Sequence, residues 1–182
     1  MNNNNIIYDI FPINYNNYEL KLLTFELVNQ YCNILVSDYY TEFMDDMKCD
    51  ISLINKYVES MKELCWCYSK RHLMKKFRFV LVNNKHIIGG MTILFCNETD
   101  IEISYFVNKN MSGQHIASNM LRRALKLIAN SDIQFNRYIA IIREDNIKSI
   151  NLVKSIGFKE KEKYLGKVRY NLVMELNRYE VK

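Results

Sequence analysis

Apolar side chains recur at helical spacing in the first half of the chain. Between residues 54 and 68 they stand three and four positions apart, which places them on one face of a helix. The members of this stripe are Ile54, Tyr57, Val58, Met61, Leu64, Cys65 and Tyr68. Residues 25–40 show the same spacing after a strand-like run at 18–24. The pattern predicts an early strand and then two amphipathic helices, the second capped by Asp50.

The second half alternates between strand-like runs and two further helical segments. Predicted strands cover residues 77–83, 86–96, 100–107 and 136–143, a run from 158, and residues 170–176. A long helix is predicted over 114–130, and a shorter one is capped by Asp145 or Asn146 and ended by Gly157. We therefore expect an α/β (or α+β) fold, with a mixed central β-sheet of about six to seven strands flanked by about four helices.

Length and composition favour one domain. The chain has 182 residues, 49% of them apolar, and it contains no internal repeat and no Pro/Gly-rich linker. We expect a single domain over residues 1–182, with residues 1–5 as a frayed tail. No run of eighteen apolar residues is present and the first residues do not resemble a secretion signal, so we expect a cytoplasmic protein without a membrane span.

Cysteine spacing and net charge give no sign of a metal centre or of nucleic-acid binding. The five cysteines are odd in number and form no Cys-x-x-Cys pair, so we expect reduced thiols and no metal. The net charge is +5, and the densest basic run lies between Lys70 and Arg78. Because a solvated surface explains that run, a nucleic-acid partner is disfavoured.

A strand that leads through a loop into a helix forms the strongest candidate site. The apolar run at 101–107 is followed by the loop 108–117 and then by the long helix. Backbone N–H groups at a helix start point outward, and the helix dipole adds partial positive charge there. The arrangement therefore predicts a cradle for a phosphate-bearing cofactor.

Two motifs carry a resemblance to a known family. Asn146, Ser149, Gly157 and Phe158 match an Asn-x-x-Ser/Ala signature that is followed by Gly-Phe, whereas the loop 112–117 matches the family's Arg/Gln-x-x-Gly-x-Gly/Ala pattern only at its last position. With these motifs in this order, the chain resembles the GNAT superfamily of acyl-CoA-dependent N-acetyltransferases. The similarity is best over residues 77–176. Within the superfamily the chain looks nearest to the N-terminal and amine acetyltransferases related to those that modify ribosomal proteins.

The resemblance implies that residues 77–176 bind acetyl-CoA and that the helical segment 25–76 selects the acceptor. It also implies direct transfer of the acetyl group to a primary amine in a ternary complex. The cofactor-binding residues implied are Phe106 and Val107 for the pantetheine arm, Ser112, Gly113, Gln114, His115, Ile116 and Ala117 for the diphosphate, and in addition Ser118, Asn146 and Ser149. His115 stands where family members carry glycine.

The catalytic roles follow from the same resemblance. Glu102, on the polar face of its strand, is the expected base, and the alternative is a strand glutamate without a catalytic role. Many family members carry a tyrosine acid four residues beyond Ser149, where this chain has Val153. We therefore expect Ser149 to protonate the leaving thiolate, with Tyr105 and Tyr164 in reserve. Packing or a bond to its own backbone is the alternative for Ser149.

The acceptor stays open at this stage. An aromatic and acidic cluster could hold a cationic amine, and its members are Tyr39, Tyr40, Glu42, Phe43, Asp45 and Asp46. The acceptor could be a small amine, an amino sugar, a peptide N-terminus, a lysine or an aminoacyl-tRNA. The alternative function is a non-catalytic GNAT-fold module that binds acyl-CoA. A homodimer also remains open.

Overall fold

A computed structural model describes residues 3–37, 51–166 and 170–181 of the chain. Within these ranges the helices are α1 (Asn3–Ile10), α2 (Val28–Leu35), α3 (Ile54–Ser69), α4 (Ile116–Ala129) and α5 (Ile147–Ile156). The strands are β1 (Ile13–Tyr15), β2 (Tyr18–Leu22), β3 (Lys76–Asn83), β4 (His86–Phe95), β5 (Asp100–Val107), β6 (Arg137–Arg143), β7 (Lys159–Leu165) and β8 (Tyr170–Asn177). The described part thus has one helix and at least one strand more than we expected.

All eight strands belong to one mixed sheet with the order β1-β2-β3-β4-β5-β6-β8-β7. Neighbouring strands are antiparallel except β5 and β6, which run parallel because α4 crosses over between them. Helices α1, α4 and α5 share one apolar core with the sheet, and α2 and α3 share a second core with its other side. We call these two sides the α4 face and the α3 face.

Several local expectations are corrected by the structure. Residues 3–5, expected to fray, belong to α1, because Ile7 and Phe11 are buried against the sheet and hold that helix in place. The early strand ends at Leu22, and α2 begins only after a 3₁₀ turn. The end of the predicted helix 25–40 and the cap Asp50 lie outside the described residues. The long helix begins at Ile116 instead of residue 114.

The cap and stop signals of the short helix are confirmed. The Asn146 side chain accepts a hydrogen bond from the Ser149 N–H, so Asn146 is the N-cap of α5. Gly157 ends the helix with a left-handed φ of 118°, a conformation that glycine adopts readily. These signals fix the ends of α5, which follows β6. The start of α5 is one border of the candidate site.

The parallel pair β5–β6 is short and is clamped at its first residues. Pairing covers Asp100 with Arg137, Ile101 with Tyr138, and Glu102 with Ile139. The Arg137 guanidinium donates to both Asp100 carboxylate oxygens, at 2.8 and 3.2 Å, and also to Glu175 at 2.7 Å. Because Asp100 is buried, these bonds replace the water that its carboxylate loses on folding.

Removing this clamp should destabilise the protein. Arg137→Ala leaves Asp100 without its main partner, and we expect the free energy of unfolding at pH 7 to fall by about 1–3 kcal/mol. The control is Arg71→Ala, because Arg71 and Asp9 form an exposed pair; its loss should change stability by less than about 0.5 kcal/mol. Denaturant unfolding measures both, and equal effects of the two variants would contradict the clamp.

The same variant has a predicted pH dependence. The Arg137 guanidinium holds the pKa of the Asp100 carboxyl below its ordinary value. A carboxyl whose folded pKa is depressed stabilises the fold above its unfolded pKa and loses that contribution as the pH falls. The difference between wild type and Arg137→Ala should therefore shrink as the pH is lowered below about 4. A difference that stays constant down to pH 3 would contradict this account.

Candidate active site

The site begins where β5 and β6 part. Their pairing ends at Glu102 and Ile139, yet β5 continues to Val107 and β6 continues to Arg143. Beyond that point β5 stays paired with β4, and β6 with β8. Within the described residues, β5–β6 pairing is thus limited to the first three residues of β5. The result is a V-shaped gap whose edge carries backbone groups able to pair with an extended ligand.

Two glycines of β4 let the last residues of β5 come close. Gly89 and Gly90 stand opposite Val107 and Phe106. A Cβ on Gly90 would lie 2.4 Å from the Phe79 carbonyl oxygen and 2.8 Å from the Phe106 ring, so no side chain fits there. The Phe106 ring packs on the α3 face, 6.2 Å from the Tyr31 ring. Its backbone is consequently left to border the gap.

Asn108 fixes the start of the loop that follows β5. Its backbone N–H donates to the Ile88 carbonyl at 2.9 Å, and its side-chain Nδ2 donates to the Ile87 carbonyl at 2.8 Å. Both acceptors lie at the β4 bulge, where the register with β3 shifts. Asn108 was not among the residues that the sequence singled out, although an asparagine directly after a strand is a common loop signal.

The loop presents a row of backbone donors without acceptors. The Ser112 N–H donates to Lys109, and the next bonded amide is that of Asn119, which donates to His115. The six amides of residues 113–118 have no backbone acceptor among the described residues. Gly113 has a φ of 82°, and a Cβ built there would meet nothing within 4 Å. Six amides, open space and a helix dipole are together the features by which a protein backbone could hold an anion.

His115 occupies a conformation that glycine would adopt more easily. Its φ is 59°, in the left-handed region, and it is the N-cap residue of α4 with an exposed side chain. The Ser118 hydroxyl donates to the His115 carbonyl at 2.9 Å, and Gln114 Nε2 donates to the Asn110 carbonyl at 3.3 Å. The side chains of Ser118 and Gln114 thus brace the loop, while its amides remain available.

Three predicted residues meet at the other border of the gap, on the α4 face. The Tyr105 hydroxyl donates to the Ser149 carbonyl at 3.4 Å, and the Ser149 N–H donates to Asn146 Oδ1 at 3.2 Å. Burial raises the pKa of the Tyr105 phenol, and its hydrogen bond to Ser149 opposes that rise only in part. The phenol is therefore protonated at neutral pH. Val153, at the family's tyrosine position, is fully buried and lies outside the gap.

Glu102 lies at the vertex of the gap but on the opposite face of the sheet. Successive side chains of a strand alternate between faces, so Glu102 points to the α3 face and Tyr105 to the α4 face, about 10 Å apart along the strand. Glu102 Oε2 lies 4.0 Å from Cys96 Sγ, and Lys76 interacts with the same carboxylate. The two catalytic candidates would thus approach a reacting group from opposite sides.

Tyr164 is set apart from the other candidates. It lies on β7, two strands beyond β6, and its side chain is 40% exposed. A separate cavity of about 790 Å³ lies at the other end of the sheet, between the β1–β2 and β3–β4 turns, and is lined by residues such as Asn14, Glu19 and Lys85. None of the predicted site residues lines it.

The described ranges contain neither a cluster of metal-ligating side chains nor a helix that could span a membrane. No group of three or more His, Cys, Asp or Glu residues in these ranges is arranged to hold a metal ion. Cys32, Cys65, Cys67 and Cys96 form no disulfide within these ranges. Among the helices described, none has the length and apolar character required to cross a bilayer.

The profile of the family described as "Acetyltransferase (GNAT) domain" matches residues 20–159, from β2 to the start of β7. The chain belongs to the GNAT acetyltransferase family. The resemblance read from Asn146, Ser149, Gly157 and Phe158 is thereby confirmed. A search of curated proteins finds no match.

Solved structures show that the chain has the GNAT fold. A ribosomal-protein-S5-alanine acetyltransferase from Vibrio fischeri matches with a TM-score of 0.77 and 13% identity, over 94% of this chain and 99% of that one. A spermidine N-acetyltransferase from Vibrio cholerae, in complex with CoA and spermine, matches with a TM-score of 0.74 and 15% identity, over 90% of this chain and 97% of that one. An aminoglycoside acetyltransferase in complex with coenzyme A matches with a TM-score of 0.70 and 14% identity, over 90% of this chain and 96% of that one. At these identities the likeness establishes the fold alone.

A charge placed in the amide loop should weaken CoA binding. Gly113→Glu and Gly113→Gln both force a side chain into a left-handed conformation, which costs about 1–2 kcal/mol. The glutamate additionally repels a diphosphate. We therefore expect its dissociation constant for CoA to exceed that of the glutamine variant by about tenfold at low salt, with a smaller ratio at high salt. Isothermal titration measures both, and equal affinities would contradict the loop assignment.

Proposed function

We propose that this chain is an acetyl-CoA-dependent N-acetyltransferase that transfers the acetyl group directly to a primary amine in a ternary complex. The observation that carries the proposal is the row of amides at residues 113–118, which have no acceptor among the described residues, beside the place where β6 parts from β5. The first feature fits a diphosphate and the second fits an extended amide-bearing arm. The CoA complexes among the similar structures support the same reading.

The loop and the strand edge would position the donor. When bound, acetyl-CoA supplies an acyl group activated as a thioester. Amides 113–118 would hold its diphosphate, and the backbone of Phe106 and Val107 would direct its arm towards the vertex at Glu102. An unpaired N–H on this edge would stabilise negative charge that develops on the carbonyl oxygen. Holding both substrates in one gap would provide much of the acceleration.

Tyr105 is the proton donor that the geometry favours. Its hydroxyl lies at the start of α5, and burial keeps it protonated. The Ser149 backbone carbonyl accepts from Tyr105, which orients the phenol and makes Ser149 a positioning residue for it. Glu102 would accept the amine proton from the α3 face, directly or through water.

Tyr105→Phe tests the proton donor. The substitution removes the hydroxyl and keeps the ring, so we expect kcat to fall by about 100-fold while the KM for acetyl-CoA changes little. Tyr164→Phe, on the outer strand, is the matched control and should leave both constants unchanged. Release of the CoA thiol, followed with a chromogenic thiol reagent, gives the rates. An unchanged kcat in Tyr105→Phe would remove this residue from the mechanism.

Glu102→Gln tests the base. Without the carboxylate, only amine molecules that are already neutral in solution can react. The rate should therefore keep rising with pH towards the amine pKa of about 8–10. Glu162→Gln, an exposed glutamate of β7, should retain the wild-type pH profile. Overlapping profiles for wild type and Glu102→Gln would contradict the role of Glu102.

The second candidate function is a non-catalytic acyl-CoA-binding module. The burial of Val153, at the position where many family members carry a tyrosine acid, favours it. The aromatic and acidic cluster proposed for the acceptor, residues 39–46, lies outside the described residues and decides nothing here. CoA binding without thiol release for any amine in a broad panel would favour the module over the enzyme.

A further inference from the structure

One large apolar side chain is exposed in the middle of the sheet, next to the gap. Ile141 is 45% exposed, although its neighbours Ala140 and Ile142, which point to the α4 face, are buried. Ile139 and Val173 lie beside it on the α3 face and are half-buried. We call Ile139, Ile141 and Val173 the apolar patch. An exposed isoleucine at the centre of a sheet is informative, because such positions are usually covered.

The apolar patch is continuous with the proposed reaction site. Ile139 is the last β6 residue paired with β5, and its pairing partner is Glu102 at the vertex. On the α4 face the residues beside the vertex, Ile103 and Ala140, are buried in the core. An acceptor therefore has to approach from the α3 face. Its reacting nitrogen would lie near Glu102 while the atoms behind it pass over Ile141 and Val173.

The charges around the patch leave room for one cationic group. Glu102 is the carboxylate beside Ile139, and Lys76 attracts it electrostatically without forming an ion pair with it within the described ranges. Glu175, also beside Ile139, is bonded to Arg137 at 2.7 Å. The next carboxylate, Glu162 on β7, lies beyond Val173, about 10 Å from β6 at two strand spacings. A second ammonium close to the first would rest on hydrocarbon and lose hydration without a partner.

We propose that the acceptor is an amine with a single positive charge that carries an apolar or aromatic group next to its amine-bearing carbon. This inference rests on the proposed function. The patch would bury the apolar group, and Glu102 would face the amine. Such an amine exists in two sources with the same chemistry, namely a small alkyl or arylalkyl amine and the N-terminus of a peptide whose first residue is apolar.

The transfer step balances without any further reactant. The amine nitrogen forms a bond to the thioester carbonyl carbon, and the carbon–sulfur bond breaks. The ammonium loses one proton to Glu102, or to a water molecule held by it, before attack, and the bonded nitrogen loses a second as the carbon–sulfur bond breaks. The departing thiolate gains a proton from Tyr105, which one of the two released protons restores, so that one proton passes to solvent. The products are the N-acetylated amine and the free CoA thiol.

The test compares acceptors by kcat/KM with thiol release as the readout. The panel contains phenethylamine, a peptide beginning with Phe, a peptide beginning with Ser, and spermidine. We expect kcat/KM for phenethylamine, for the Phe peptide or for both to exceed kcat/KM for spermidine and for the Ser peptide by about tenfold or more. Burial of one to two methylene groups predicts a ratio of this size. The better of the two apolar acceptors identifies the source.

Variants at the patch provide the matched comparison. Ile141→Ala should lower kcat/KM for the apolar acceptors by about threefold to tenfold, and Ile141→Glu should lower it further and raise the value for spermidine. Leu127 is equally exposed, at 44%, but lies on α4, so Leu127→Glu should change kcat/KM neither for the apolar acceptors nor for spermidine. CoA affinity should be the same in all three variants, because the patch lies away from the amide loop.

Each alternative outcome has a distinct meaning. Thiol release that is fastest with spermidine, or that is insensitive to both Ile141 variants, would overturn the acceptor assignment and leave the proposed acetyltransferase function standing. CoA binding without thiol release for the whole panel would overturn the proposed function itself. An apolar preference that Ile141→Glu reverses and Leu127→Glu preserves would support the inference.

Discussion

The structure depends on the short parallel pairing of β5 with β6. Three residue pairs hold the strands together, and the bonds from Arg137 to Asp100 and Glu175 fix the first of them. Beyond Glu102, β5 stays paired with β4 and β6 stays paired with β8, so the sheet stays continuous while a gap opens between β5 and β6. A fold that closed this gap with further backbone bonds would have no edge to offer a cofactor arm.

The amides of residues 113–118 have no acceptor among the described residues, because the loop conformation keeps them apart from the backbone carbonyls. Asn108 ties the loop to the β4 bulge, and Gly113 and His115 take left-handed conformations that turn the chain into α4. The strained φ of His115 costs free energy that a glycine would save, which is typical of positions where a ligand contact matters more than stability. Tyr105 and Asn146 lie at the opposite border of the gap, at the start of α5.

Much of the fold could be predicted from hydrophobic periodicity and from the residues that begin and end helices and turns. The meander, the α4 crossover, the Asn146 cap and the Gly157 stop follow from local signals that act over a few residues. Helix α1 and strand β1 were missed because their burial depends on contacts with distant elements. Separation of Glu102 from Tyr105 follows from strand alternation, but the meeting of Tyr105 with Ser149 joins residues 44 positions apart and needs the tertiary fold. For the same reason no local pattern marks Ile141 as exposed.

Amide hydrogen exchange measures the central claim most directly, because it reports on the backbone donors themselves. Exchange of residues 113–118 should be fast in the free protein, since these amides have no acceptor among the described residues. Saturating CoA should slow exchange of these amides and of those along residues 103–107, with little change in β7. Unaltered exchange at residues 113–118 in the presence of bound CoA would contradict the account.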